Sequence, residues 1–181
     1  MSGSNPWQRL SSRLVYENPW IKVREDQVIA PSGVPGIYGV VEAKHAVGVI
    51  ALTDDRQLFL VGQYRYPTEC YSWEIPEGAA EGNETDLEAA KRELREETGL
   101  VAERWEPLGG EIHLSNCFTA ERAYLFLAQG LVPGQTAFDP TEAIVQRRVS
   151  LVDAVAMASN GEITDGLSLI GIHRAARLLG V

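Results

Sequence analysis

Residues Gly78 to Leu100 read GAAEGNETDLEAAKRELREETGL, and this stretch decides the fold. Leu87, Ala90 and Leu94 recur at helical spacing, Thr85-x-x-Glu88 is a capping-box signal for a start, and Gly99 supplies the left-handed residue that ends many helices. The spacing predicts a helix over 86–98. On it Glu93, Glu96 and Glu97 crowd one face with Arg92 four residues before Glu96. Like charges at this spacing repel by a few tenths of a kcal/mol or so per pair. The acidic stripe lies beside the apolar stripe, so the carboxylates emerge at the edge of the core. Hard oxygen donors in such a cluster suit Mg²⁺ or Mn²⁺, which keep waters and bind substrate phosphates. Spacing alone also fits an ordinary charged helix face.

The rest of the chain frames this helix. With 181 residues, 45% apolar and 23% charged, it has the composition of one globular domain with a real core. The net charge is −9, and residues 77–97 alone hold eight acids against three bases. An acidic surface counts against long nucleic acid and favours a divalent cation. Cys70 and Cys117 lack metal-ligand spacing and read as reduced thiols. MSGSNPWQRL has no apolar h-region, and the longest apolar run, Ala46–Leu52, is far short of a membrane span; the expectation is a cytoplasmic protein without a membrane segment.

Before the helix the chain reads as strands: Trp20–Ile29, Ile37–Glu42, Ala46–Leu52 and Gln57–Tyr64, joined by turns such as Pro31–Gly36 and Asp54-Asp55, which suggests antiparallel meanders. Strands resume near Trp105–Glu111, Ala123–Gln129 and Ile144–Ser150. Helices follow over Val152–Ser159 and from about Asp165. This mixed order argues for an α+β fold.

The stretch from Gly78 resembles the signature of the Nudix hydrolases, G-x5-E-x7-R-E-U-x-E-E-x-G-U with U apolar. Gly78, Glu84, Arg92, Glu93, Leu94, Glu96, Glu97, Gly99 and Leu100 fill every fixed position. Seven identities at about 6% usage each give a chance match on the order of 10⁻⁹ per start position. The resemblance implies a Nudix-type α/β/α sandwich with a mixed central sheet and metal-dependent hydrolysis of a nucleoside diphosphate linked to another group. By position it makes Glu93 and Glu97 metal ligands, Glu96 a further ligand or positioning acid, and Glu84 an additional acid near the metals. It adds the backbone carbonyl of Glu77, and gives Arg92 the orientation of the ligand glutamates. Metal ions neutralise the anionic pyrophosphate and lower the pKa of a bound water.

An N-terminal strand extension, residues 1–43, ahead of a hydrolase domain over 44–181 is similar to ADP-ribose and nucleoside diphosphate sugar pyrophosphatases. In these the extension serves a homodimer and the nucleobase pocket. Gln63-Tyr-Arg-Tyr-Pro67 resembles the family's Q-x-R segment, which makes Arg65 a substrate contact; Trp73-Glu-Ile-Pro-Glu-Gly78 resembles the entry to the box. Trp20 and Tyr38 are aromatics for a base, against plain packing. His45 and His113 read as structural. The loop 134–142 offers Glu142 as catalytic base, with Asp139 second. Ser115 and Glu121 fit the family's pattern after the box and place Glu121 with the substrate, but Asn116 and Cys117 stand where Pro and Gly are usual. That departure implies a range of nucleoside diphosphate sugars, ADP-ribose or GDP-mannose included, rather than ADP-ribose alone. The rival readings are a nucleoside triphosphate or RNA 5′-end pyrophosphohydrolase, which the acidic balance and the extension oppose, and a non-catalytic nucleotide-sugar sensor, which the complete set of box acids opposes.

Overall fold

A computed structural model describes residues 4–134 and 144–181. The chain divides into two units. The first takes residues up to Lys44 together with His113–Arg122; the second takes His45–Ile112 and the chain from Ala123 onward.

The first unit is an antiparallel sheet of three strands in sequence order, β1 (Gln8–Glu17), β2 (Ile21–Ile29) and β3 (Pro35–Ala43). The Asn18 side chain makes the β1–β2 turn by accepting from the backbone N–H groups of Trp20 and Ile21, at 2.9 and 2.8 Å, the local bond that favours Asn in turns. Residues 113–122 run with this unit. Val41 N–H donates to Phe118 O, and Ala120 N–H donates back to Val41 O, both at 2.8 Å. The bonds are backbone to backbone, so no side chain in 113–122 signals them.

The second unit holds β4 (Ala46–Ala51), β5 (Gln57–Arg65), β6 (Cys70–Glu74), β7 (Glu77–Ala79), α1 (Asp86–Thr98), β8 (Leu100–Pro107), β9 (Ala123–Pro133), β10 (Val145–Ser150), α2 (Leu151–Asn160) and α3 (Gly166–Leu179). Here the meander expectation fails in part. Strands β4 and β5 follow one another but share only the Leu52–Leu58 bridge, and β4 instead pairs parallel to β9 and antiparallel to β7. The two sheets are β7-β4-β9-β8, which is mixed, and β10-β5-β6, which is antiparallel. The reason is burial. Strand β4 is apolar throughout, and a strand apolar on both faces belongs inside a sandwich and not at a half-solvated hairpin.

Alternation along β4 then makes two cores. Val47, Val49 and Ala51 pack with Ala89, Ala90 and Leu94 of α1 and with Phe126 and Ala128 of β9. Ile50 and Leu52 turn the other way, onto Leu58, Leu60, Ile75, Leu125, Leu127 and the apolar faces of α2 and α3. This is the α+β Nudix-type sandwich the sequence implied. Helix α1 has the predicted bounds: Thr85 and Glu88 form the full capping box, and Gly99 closes the helix at φ 70°, where a side chain is strained. Leu94 is fully buried beneath it, and truncation of such a residue to Ala costs about 2–5 kcal/mol.

Candidate functional site

The site grows from one face of α1 against β7. Glu97 is buried although charged, 3% exposed, because the same turn that buries Leu94 and Thr98 carries it inward. Its carboxylate accepts from the Glu77 backbone N–H at 3.0 Å, and its backbone carbonyl accepts from Gln146 Nε2 at 3.0 Å. Gly78 follows Glu77, and here the reason for glycine is space. A Cβ on Gly78 would run into the Glu93 carboxylate.

The strand itself is pinned from both sides. Ile75 N–H donates to the buried Ser168 Oγ of α3 at 2.9 Å, and Pro76 O accepts from Val49 N–H at 2.8 Å. The segment that leads into Glu77 and Gly78 is thereby fixed to α3 and to β4.

Arg92 is the hub of the acids. Nε donates to Glu84 Oε1 at 3.0 Å, Nη1 to Glu93 Oε1 at 2.8 Å and Glu96 Oε2 at 3.0 Å, and Nη2 to Ala79 O at 2.8 Å and Glu84 Oε2 at 3.1 Å. The Glu84 bonds, and after partial desolvation those to Glu96 and Glu93, hold its pKa above the ordinary value, so the cation is permanent. One planar fork thus aligns three carboxylates, which a lysine has no geometry to do.

A second charged group adjoins Glu77. Arg65, at the end of β5, pairs with Glu74 of β6 through Nε at 2.9 and 3.1 Å and through Nη2, and reaches Glu77 Oε1 at 3.1 Å. Asp165, the N-cap of α3, completes the group: one oxygen from each of Glu74, Glu77 and Asp165 lies within 4.8 Å of the others. Burial first, then the Asp165 and Glu74 charges, push the Glu77 carboxyl well above the usual carboxylate range. Its Oε2 is buried without a hydrogen-bond partner among the described residues.

The residues nominated from sequence divide accordingly. Glu77, Glu84, Arg92, Glu93, Glu96 and Glu97 come together around α1 and β7, and Arg65 joins them through Glu77. Among the described residues, however, the group of three convergent carboxylates is Glu74, Glu77 and Asp165 rather than the glutamates of α1. Sequence reasoning nominates neither Glu74 nor Asp165; Glu74 sits within Trp73–Gly78, and its burial is the missing signal. Trp20, Tyr38 and Glu121 belong to the first unit. Trp20 is largely exposed. Tyr38 donates to Cys117 O at 2.6 Å and meets Trp7 edge-on, and burial raises the half-buried Glu121 carboxyl. His45 lies 3.2 Å from Asp86 and packs near Tyr124. Glu142 and Asp139 lie outside the described residues.

The donor set fits a hard divalent cation: carboxylates on successive turns of one helix, a glycine that keeps room for Glu93, and a buried carboxylate oxygen left without a donor. A sandwich that seats an arginine-braced glutamate helix against a glycine strand defines the class as a Nudix fold. Residues 43–166 match the NUDIX domain family, so the chain belongs to it, and residues 7–41 match the nucleoside diphosphate sugar hydrolase N-terminal domain. The chain is 30% identical to an ADP-ribose pyrophosphatase of Mycobacterium tuberculosis, over 92% of this chain and 81% of that one. It is also 30% identical to a methanol dehydrogenase activator of Bacillus methanolicus, over 91% and 89%. A solved structure described as an ADP compounds hydrolase superposes with a TM-score of 0.87 over 99% of this chain and 97% of that one, at 21% identity, which shows a shared fold.

Proposed function

We propose that the protein hydrolyses the pyrophosphate bond of nucleoside diphosphate sugars, ADP-ribose or GDP-mannose among them, to a nucleoside monophosphate and a sugar phosphate. The observation that carries this reading is the pairing of a complete acid helix, braced by Arg92, with the N-terminal domain of nucleoside diphosphate sugar hydrolases in one chain. Glu93 and Glu97, with Glu96 and the Glu77 carbonyl, would hold Mg²⁺ or Mn²⁺. The bound metal supplies charge neutralisation of the diphosphate and a water of lowered pKa. Arg92 keeps the carboxylates aligned, Arg65 contacts the diphosphate, Trp20 and Tyr38 are the aromatics for the base, and Glu121 is a substrate contact. Glu142 is the base in this proposal, with Asp139 second.

The working form is a cytoplasmic homodimer. All of β1 is exposed, including Leu10, Leu14, Val15 and Tyr16, and a second copy gives this apolar surface a partner. No helix among the described residues is long and apolar enough to cross a membrane.

The test is product analysis with ADP-ribose, GDP-mannose, ADP-glucose, a dNTP and 5′-triphosphate RNA, each with Mg²⁺ and with EDTA. A nucleoside monophosphate plus sugar phosphate, abolished by EDTA, is expected. Pyrophosphate from the dNTP or the RNA alone would overturn the substrate class.

A further inference from the structure

Arg65 is held from one side only. Glu74, 3% exposed in its side chain, takes Nε and Nη2 in a fork, and Glu77, 15% exposed, takes Nη2 again. Asp165 adds a third carboxylate next to both. Nη1 donates to nothing among the described residues, and Arg65 is more than a third exposed. A buried carboxylate is costly unless paired, and Glu74 spends its pairing wholly on this guanidinium. With the Glu74 carboxylate forked onto it, Arg65 adds little net positive charge for a diphosphate. What the arrangement supplies is direction: a planar donor that cannot rotate, with one edge left over.

We propose that Glu74, assisted by Glu77, is a positioning residue that fixes Arg65 so that Nη1 faces the diphosphate of the substrate. This rests on the nucleoside diphosphate sugar reading above. Glu74 never meets the substrate; it acts through Arg65. The clamp is itself braced, because Ile75, one residue after Glu74, is tied to Ser168, and Asp165 caps the same helix by accepting from Ser168 N–H at 2.7 Å.

The experiment is a double-mutant cycle of Glu74→Gln and Arg65→Lys, with two readouts. One is steady-state kinetics on a nucleoside diphosphate sugar. The other is calorimetric binding, with Mg²⁺, of methylenediphosphonate, a hydrolysis-resistant diphosphate without base or sugar. Glu74→Gln should raise KM about 10- to 100-fold, with kcat within about threefold, the pattern of lost uniform binding. Methylenediphosphonate binding should weaken in parallel. Arg65→Lys keeps the charge and should lose as much. In the Arg65→Lys background, Glu74→Gln should change either readout by less than about twofold. Independent, multiplying effects would overturn the clamp, as would a Glu74→Gln protein of lowered Tm with unchanged KM. If Glu74→Gln does not fold, Glu74→Asp, which keeps the charge but shortens the reach, runs through the same cycle. Wild-type protein that turns over no nucleoside diphosphate sugar, yet shows the coupling in methylenediphosphonate binding, would remove the substrate reading and keep the clamp. Normal turnover with multiplying effects does the reverse.

Discussion

The backbone N–H of Glu77 donates to the Glu97 carboxylate at 3.0 Å, tying the strand before the box glycine to the last turn of the helix that ends the box. One carboxylate oxygen is thereby oriented by the main chain, and the helix cannot slide along the sheet without breaking the bond. Glu97 is buried at that contact, so its orientation is set before any ligand arrives.

Glu97→Gln separates geometry from charge. Glutamine still offers an oxygen to the Glu77 N–H, so the fold should persist with a near wild-type Tm. The anionic donor is gone, and kcat should fall at least about a hundredfold, as losses of transition-state charge stabilisation do. Thermal unfolding and steady-state rates across a Mg²⁺ titration check this. Wild-type rates in the Glu97→Gln variant would remove Glu97 from the metal ligands.

Gly78→Ala tests close approach. The added methyl runs into the Glu93 carboxylate, the far end of a side chain, which moves more cheaply than backbone. The cost should therefore fall on function. Turnover should drop about 10- to 100-fold through a displaced carboxylate, and stability by no more than about 1–3 kcal/mol. Denaturant unfolding and kinetics on the same preparation measure the split.

Ser168→Ala removes the acceptor of the Ile75 N–H. Both groups are buried, so the amide is left without a partner, which costs about 1–3 kcal/mol. The lesion is in α3, yet the strand it frees carries Glu77, so KM should rise as well. A fully stable Ser168→Ala protein would show that water takes over the bond.

Glu121 gives a pH signature. Burial raises its carboxyl above the ordinary value of 4.5. As pH climbs through the window between the ordinary and the raised value, the unfolded chain releases this proton while the folded chain keeps it. The folded state then binds more protons, and stability falls with rising pH. Glu121→Gln abolishes that slope, so the variant should gain on wild type as pH rises above the ordinary carboxyl value of 4.5. Denaturant midpoints of both proteins across that window test it. A constant difference would place Glu121 in solvent.

Local pattern carried the acid helix completely. Thr85, Glu88 and Gly99 state its ends, Leu87, Ala90 and Leu94 its apolar side, and Arg92 with Glu93, Glu96 and Glu97 its charged face, all within reach of one another along the chain. The strands from Ile21 to Arg65 were legible for the same reason, as runs of β-formers between turn residues. Strand β1 was not: QRLSSRLVYE is exposed at every position and shows no alternation to read. Cys70–Glu74 and Glu77–Ala79 are too short to show a period.

By itself the sequence determined the class of chemistry, because the box residues lie within one short stretch, Gly78 to Leu100, and their spacing is a local property. Tertiary structure alone decided what surrounds them. The parallel pairing of β4 with β9 joins Ala46 to Ala123, the Ser168 bond to Ile75 spans 93 residues, and the Arg65 clamp draws Glu74, Glu77 and Asp165 from two strands and a helix cap. Such contacts follow from which apolar faces can be buried together, a property of the whole chain that no short window contains.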